Sequence, residues 1–384
     1  MVRTPVGKVG GALSSINAAD LGAIAIREAV KRASIDPQII DDVIFGNILN
    51  SDWQNIARAS ALAAGLPMEV PAIKVDRECG SGANAVAFAS MAIQAGMYDV
   101  VVAGGVESDS TRPWVMAKPG KAFQVPCPEM FYDPPSVTEE IGECPMVDTA
   151  QNVGEKFGMT RAECDAFAVR SHELADAAWK RGFFDESVLE LEIPQRKGEP
   201  IRVKRDETIR TGTGVESLGR LKPVAYRGDL VTAGNSSPLC DGAAALVLME
   251  ETLAKKLNLR PIGRITGYAV AGVHPHFMGM GPMQAVPRLL KKTGTRLEEI
   301  DVIEINEAFA AQAVPCCREL GLDMARVNVN GGAIALGHPM GGTGAILTIK
   351  ALDELRDRGG KTGLVTMCIG GGQGIAMLVE NCRF

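Results

Sequence analysis

Two cysteines and a histidine in glycine-rich turns, with an asparagine directly after an apolar strand, have the chemistry and the setting to act on a substrate in this chain of 384 residues. Cys79 stands in Asp76-Arg77-Glu78-Cys79-Gly80-Ser81-Gly82. Pro71–Val75 before it reads as a short strand, and Gly80–Tyr98 after it, with no charged side chain, reads as an Ala-rich helix. A thiol at a strand-to-helix turn lies near unpaired amide N–H groups and the positive end of the helix dipole. That position is expected to lower its pKa and favour the thiolate, the form that attacks carbon. The glycines flanking Ser81 leave room for a substrate against the backbone. The competing reading is a buried small hydrophobe, the usual state of an intracellular cysteine.

Three clusters join Cys79. Asn306-Glu307-Ala308-Phe309-Ala310 directly follows an apolar strand, His338 sits in the glycine-rich run Gly331–Gly344, and Cys368 opens Cys368-Ile369-Gly370-Gly371-Gly372-Gln373-Gly374. A single histidine is more often structural than catalytic, but glycine-rich surroundings are poor material for a packed core. Imidazole beside a thiol is its commonest activator and also donates to a developing oxyanion. The glycine amides after Cys368 suit an oxyanion hole; a tight turn or a nucleotide loop is the alternative. Neither a complete G-x-G-x-x-G after the first strand nor a P-loop lysine is present, which weakens the nucleotide reading. His172, His274 and His276 lack such a context and read as structural, as do the cysteines at 127, 144, 164, 240, 316, 317 and 382.

The elements that must position these turns repeat along the chain. Ala25–Arg32 leads into Ile40–Asn47, and Ala285–Lys292 leads into Glu299–Asn306; each pair reads as an amphipathic helix, an apolar strand and a turn carrying asparagine. Val75–Glu107 then gives strand, CGSG turn, uncharged helix and the strand Asp99–Gly105. Val327–Gly374 gives strand, glycine-rich turn, the helix Gly342–Arg358 and the strand Leu364–Met367. This is a domain-sized duplication rather than a solenoid. Strands apolar on both faces, such as Val100–Ala103, imply helix-covered, largely parallel sheets. Two similar α/β units would bring the Cys79 turn and the C-terminal glycine turns to a shared cleft. Between the halves, Arg112–Val231 is proline-rich, with one clear helix at Arg161–Arg181. Within it, Arg196–Arg227 carries nine Lys/Arg against four Asp/Glu. It reads as an inserted lid whose cationic side either is merely solvated or meets an anionic ligand.

Length alone implies two or more domains. A 46% hydrophobic share with 22% charged residues is that of a globular enzyme, and a net charge of −6 argues against a nucleic-acid or basic membrane-surface protein. Nine cysteines without disulfide-framework or paired C-x-x-C spacing fit a reducing cytoplasm and suggest no zinc site. Met1–Lys8 is too short and polar for a signal peptide. Gly80–Tyr98 is long enough to span a membrane, but its polar residues and glycines make it a helix buried between sheets.

Taken in order, Cys79-Gly80-Ser81-Gly82, Gly104-Gly105-Val106-Glu107-Ser108, Asn306-Glu307-Ala308-Phe309, Gly337-His338-Pro339 and Cys368-Ile369-Gly370-Gly371-Gly372 resemble the motif set of the thiolases. Arg3-Thr4-Pro5-Val6-Gly7-Lys8 and Thr232-Ala233-Gly234-Asn235-Ser236-Ser237 resemble further landmarks of that family, so the resemblance covers essentially the whole chain. It implies duplicated α/β/α/β/α layered domains with an inserted loop domain, divided as 1–112 plus 236–260, 113–235 and 261–384. It also implies that Cys79 takes the acyl group as a thioester. His338 would activate Cys79 and, with a water held by Asn306, polarise the acyl-CoA carbonyl; Cys368 would move the α-carbon proton. The amides of Cys79 and Gly370 would form a second oxyanion hole. Arg210, Ser237 and Ala233 match coenzyme A contact positions, and Met278, Phe309 and Met146 match positions around the pantetheine and acyl pocket. Coenzyme A enters as substrate, with no separate cofactor, and a homodimer or homotetramer is implied.

The chain departs from that pattern twice. Only Met1-Val2 precede the Arg-Thr-Pro motif, where the resemblance implies a full, internal strand whose loss should harm stability. Cys144-Pro145-Met146 lacks the histidine that acetoacetyl-CoA-forming members carry beside this methionine, which argues against a strictly short-chain biosynthetic role. Ketoacyl synthases would need a histidine where Asn306 stands, and sterol-carrier-type thiolases carry His-Asp-Cys-Phe in place of Asn-Glu-Ala-Phe. A catalytically silent coenzyme A-binding scaffold is countered by the four intact positions. A Cys/His hydrolase is countered by the second cysteine and by the lack of an Asp or Asn next to His338 in sequence.

Overall fold

The computed structural model describes residues 1–116, the backbone of 130–131, and residues 135–195 and 197–382; Cys127, read as structural, lies outside them. The first half runs β1 (Val2–Arg3), β2 (Gly7–Lys8), α1 (Ala18–Ala33), β3 (Asp42–Gly46), α2 (Ile56–Ala63), β4 (Ala72–Val75), α3 (Ser81–Gln94) and β5 (Val100–Ser108). The intervening segment holds β6 (Val115–Met116), β7 (Met130–Phe131), α4 (Met146–Lys156), α5 (Arg161–Lys180), β8 (Leu191–Ile193), β9 (Ile201–Val203) and α6 (Val215–Gly219). β10 (Cys240–Met249) and α7 (Glu251–Lys256) follow. The second half is β11 (Gly263–Gly272), α8 (Gly281–Thr293), β12 (Val302–Ile305), α9 (Ala310–Glu319), α10 (Ala333–Leu336), α11 (Met340–Arg358), β13 (Thr362–Ile369) and β14 (Gln373–Asn381).

Local chemistry sets these limits. Asn17 caps α1 by accepting from Asp20 N, and Thr160 with Glu163 forms a reciprocal capping box on α5. α3 ends at Gln94, short of the expected Tyr98. Gly96, at φ 68°, donates to Ile93 O while Met97 donates to Ala92 O, closing the last turn as a Schellman cap.

The first sheet has the order β1-β10-β5-β3-β4, with β2 also on β10; the second has β11-β14-β13-β12. Neither is largely parallel, as the apolar strands had suggested. β3 pairs in parallel with β4 and β5, and β12 with β13, but β10 runs antiparallel to β5 and β1, and β14 runs antiparallel to β13 and β11. Burial on both faces reports cover by helices, not strand direction; the hairpin at Gly371 and Gly372 (φ 69° and 82°) reverses the chain between β13 and β14. The N-terminal strand is short, in keeping with the two residues before the Arg-Thr-Pro motif: β1 lies at the sheet edge and pairs with β10 only at Ala244 and Ala245. Beyond that pairing, a groove of about 1180 Å³ opens beside Met1, Ile93, Leu246, Leu248, Ile265 and Leu352.

Five layers result. α1 and α2 pack on one face of the first sheet through Leu21, Ile26 and Ile56 against Val43, Phe45 and Val102. α3 and α11 lie between the sheets, sharing one core with Ile44, Val101 and Ala103 of the first and Val365, Met367 and Ile375 of the second. That two-sided burial is why α3 carries no charge. α8 and α9 cover the outer face of the second sheet through Val286, Leu289 and Cys316. α3 and α11 approach closely: a Cβ built on Gly344 would lie 2.0 Å from Ala83 N, so only glycine fits there. Two buried ion pairs tie distant segments together. Arg3 grips Asp206 at 2.7 and 2.9 Å, joining the N-terminus to the insertion. Lys350 reaches Glu304 at 2.8 Å and Gly331 O at 2.6 Å, tying α11 to β12 and to the run leading to His338.

Candidate active site

The Cys79 turn is built by local hydrogen bonds. Asp76 accepts from Glu78 N at 3.0 Å, and the Ser81 hydroxyl accepts from Arg77 N at 2.8 Å while donating to Glu78 O at 2.6 Å. Glu78 is held at φ 44°, a left-handed conformation uncommon for a side chain of its kind. Gly80 N and Ser81 N donate to Arg77 O and Glu78 O, so the amides expected to stabilise a thiolate are already used within the turn. The Cys79 residue keeps intermediate exposure, yet its sulfur is enclosed. Burial, with the nearby Cys368 and Glu78, pushes the thiol above its ordinary value, although the amides of Gly370 and of Cys79 itself point at the sulfur. The expected lowering is therefore reversed: desolvation of the anion outweighs two amides.

Gly370 reaches Cys79 from the other half of the molecule. A Cβ on Gly80 would lie 2.5 Å from Ile369 Cδ1, so the glycine lets the end of β13 close onto the turn. Cys368 is buried in a cluster with Met278, Phe309 and Ile334, and burial, then Cys316, pushes its thiol up. All described cysteines are free thiols.

His338 is buried, and burial lowers its pKa to about 4, which leaves the ring neutral at pH 7. Its Nδ1 lies 2.7 Å from Thr343 Oγ1, its Nε2 lies 3.3 Å from Asn306 Nδ2, and its backbone N–H donates to Cys240 Sγ at 3.0 Å. Asn306 is wholly buried at the end of β12, its N–H donating to Thr366 O of β13 at 2.9 Å, and its Oδ1 has no protein partner. The neighbouring Glu307 accepts from Ser171 Oγ at 2.6 Å, Asn328 Nδ2 at 2.7 Å and Ile334 N at 3.3 Å, pinning the Asn306 turn to α5 and to α10 ahead of His338. Glu107 does the same across the halves. It accepts from Asn47 Nδ2, Leu49 N and Gly341 N, each at 2.9 Å, at the start of α11.

Sequence reasoning gave no role to Glu107, Glu307 or Thr343 and read Cys240 as structural, with no part in the site. The two glutamates left a signal, since each is a charged residue at the end of an apolar strand, where burial demands partners. Cys240 and Thr343 left none.

The expected binding positions fall in two places. Met278 and Phe309 are buried with Cys368, and Met146 opens α4 at 36% exposure. Arg210 and Ala233 are exposed and line a pocket of about 130 Å³ with Lys8, His172 and Ser236; Arg210 N donates to His172 Nδ1 at 3.2 Å. The Ser237 hydroxyl is engaged by Ala308 O at 3.0 Å. The larger groove beside β1 contains none of these residues. The described residues form no cluster of metal-ligating side chains, and no described helix is long and apolar enough to cross a membrane.

Comparisons with known proteins identify the family. Residues 1–252 match the thiolase N-terminal domain and residues 259–381 the thiolase C-terminal domain. An acetyl-CoA acetyltransferase of Cupriavidus necator is 44% identical, covering 99% of this chain and 97% of its own. A beta-ketoadipyl-CoA thiolase of Acinetobacter baylyi is also 44% identical, covering 99% and 98%. The crystal structure of the Bacillus anthracis acetyl-CoA acetyltransferase superposes with a TM-score of 0.93 at 41% identity, over 99% of this chain and 97% of that one. Human mitochondrial 3-ketoacyl-CoA thiolase gives the same score at 38% identity, with the same coverage. With both domain models matched nearly end to end, the chain belongs to the thiolase family of acyltransferases.

Proposed function

We propose that the protein catalyses the reversible, coenzyme A-dependent cleavage of 3-oxoacyl-CoA to acetyl-CoA and acyl-CoA, or the condensation of two acetyl-CoA to acetoacetyl-CoA, through an acyl-enzyme on Cys79. The observation that carries this reading is the meeting of two turns. The amides of Cys79 and Gly370 converge on the Cys79 sulfur, with the Cys368 thiol close enough to perturb it. An oxyanion on a carbon bonded to that sulfur meets donors already in place.

In the cleavage direction, His338 Nε2 takes the Cys79 proton and the sulfur pair attacks the 3-oxo carbon. The bond between the carbonyl carbon and the α-carbon then breaks, leaving the acyl group on Cys79 and an acetyl-CoA enolate. Cys368 gives that enolate its proton, and the thiol of a second coenzyme A takes the acyl group, returning a proton to the enzyme. A thiol held protonated by burial suits the donor role. Asn306 Oδ1, buried without a protein partner, is free to hold the water that polarises the thioester carbonyl with His338. Arg210, Ala233 and Ser237 would meet the coenzyme A moiety, and Met278, Phe309 and Met146 the pantetheine and acyl portions.

Cys144-Pro145-Met146 favours a second reading within this class, a thiolase for longer or modified 3-oxoacyl chains. Of the similar proteins, the Acinetobacter enzyme is named for beta-ketoadipyl-CoA. Placement in the cytoplasm, a homodimer or homotetramer, a role in fatty acid metabolism, and the division at 112, 235 and 260 complete the proposal. The test follows loss of the 3-oxoacyl-CoA enolate absorbance on adding coenzyme A, over short to long acyl chains, for wild type and Cys79→Ala. Turnover retained by Cys79→Ala, or none on any chain length, overturns the proposal.

A further inference from the structure

We propose that Thr343 is a positioning residue for proton transfer between Cys79 and His338, which rests on the thiolase reading above. Hydrogen bonding leaves the neutral imidazole one arrangement. The Asn306 side-chain nitrogen only donates, so His338 Nε2, 3.3 Å away, must accept. The single ring proton is then on Nδ1, where Thr343 Oγ1 receives it at 2.7 Å. The Thr343 hydroxyl passes its own hydrogen to Pro339 O at 2.9 Å, four residues back along the chain. Asn306, His338 and Thr343 are all at least nine-tenths buried, so bulk water does not substitute for any member of this chain. In the reverse tautomer Nε2–H would face the Asn306 amide nitrogen, donor against donor with no acceptor between them, and the Thr343 hydroxyl would have to turn from Pro339 O to Nδ1. Leaving such groups unpaired in the interior disfavours that form by roughly tenfold or more.

The consequence is a lone pair kept on Nε2. In the transfer step the S–H bond of Cys79 breaks, its electron pair stays on sulfur and its proton binds Nε2 in place of the weak 3.3 Å contact from the Asn306 N–H, which gives way. The ring becomes an imidazolium whose Nδ1–H is still held by Thr343. Thr343 lies in the first turn of α11, the helix whose opening amide at Gly341 is fixed by Glu107, so the ring is oriented by the same element that joins the two halves.

Thr343→Val keeps the shape and deletes the hydroxyl; Thr343→Ser keeps the hydroxyl. Three readouts are compared with wild type: kcat and KM for acetoacetyl-CoA thiolysis, the rate of Cys79 alkylation by iodoacetamide against pH without substrate, and Tm. Thr343→Val is expected to lower kcat by roughly 10- to 100-fold with KM within about twofold, in the range of a misdirected general base. Its alkylation at neutral pH should slow in parallel, and Thr343→Ser should recover both to within about threefold. Wild-type kcat and alkylation in folded Thr343→Val overturn the proposal, as does a Thr343→Ser enzyme as slow as the valine variant. If wild type cleaves no 3-oxoacyl-CoA while alkylation still responds to Thr343→Val, the positioning role stands and the thiolase reading fails.

Discussion

Gly344→Ala puts one methyl group where the two halves touch. Its Cβ would lie 2.0 Å from Ala83 N, 2.6 Å from Ala83 Cβ and 2.7 Å from Ala83 Cα. Ordinary contact begins near 3.4 Å, so α3 and α11 must separate locally by about 1.4 Å, and the obstacle is backbone rather than a yielding side chain. Neither helix is free to slide. Cβ atoms built on Gly46, Gly82 and Gly105 lie 2.6, 2.7 and 1.9 Å from Gly341 O, so the same close packing recurs one turn earlier. Overpacking of this kind costs about 3 kcal/mol or more, the upper part of the usual range, because little can relax. The functional effect should exceed the loss of stability. α3 begins two residues after Cys79 and α11 two residues after His338, and a misplacement of about 1 Å at a reacting pair lowers rates by roughly 100-fold. The measurement pairs calorimetric Tm with kcat for 3-oxoacyl-CoA thiolysis. Gly294→Ala is the control, at a helix end with φ 70° and open space, where about 1 kcal/mol of backbone strain and an unchanged kcat are expected. Gly344→Ala with wild-type Tm and kcat would refute the claim that this contact sets the distance between the two turns.

Cys79→Ala should reduce thiolysis to background with Tm preserved; substantial turnover by the folded variant removes the acyl-enzyme from the mechanism. Because burial raises the Cys79 thiol, the thiolate fraction of the free enzyme should keep growing with pH, so iodoacetamide alkylation should climb from neutral pH past pH 9 without levelling. A plateau near pH 7 would instead reveal a thiolate already stabilised by its turn. Arg3→Met strands Asp206, which is wholly buried, and should cost about 3–5 kcal/mol in denaturant unfolding. Arg3→Met with Asp206→Leu should regain much of that loss, and equal destabilisation in single and double variants would show that the pair is not the source.

The sequence made the turns legible and the electrostatics illegible. Cys79, His338 and Gly370 stood out because glycine-rich runs at strand ends and an uncharged helix have few structural explanations, and Asn306 because it directly follows an apolar strand. The duplication added a reason for turns from both halves to meet, and Gly370 N does reach Cys79. The sign of the Cys79 shift was not accessible, because it depends on Gly80 and Ser81 amides being consumed inside the turn and on enclosure of the sulfur by the other half. Strand direction was hidden for a related reason: Val100–Ala103 is apolar whether its neighbour runs parallel, as β3 does, or antiparallel, as β10 does. Thr343 meets His338 and Pro339 only because α11 starts between them, which no local pattern reports, and the partner of Glu107 on α11, Gly341, comes only through long-range packing.

The most direct test of Cys79 as acyl carrier is mass spectrometry of the peptide containing it after brief incubation with acetyl-CoA and an acid quench. One acetyl group on Cys79, absent from Cys79→Ala and removed by added coenzyme A, is the predicted result. An unmodified Cys79 peptide from an enzyme that is turning over, or an acetyl group on Cys368 instead, would contradict it.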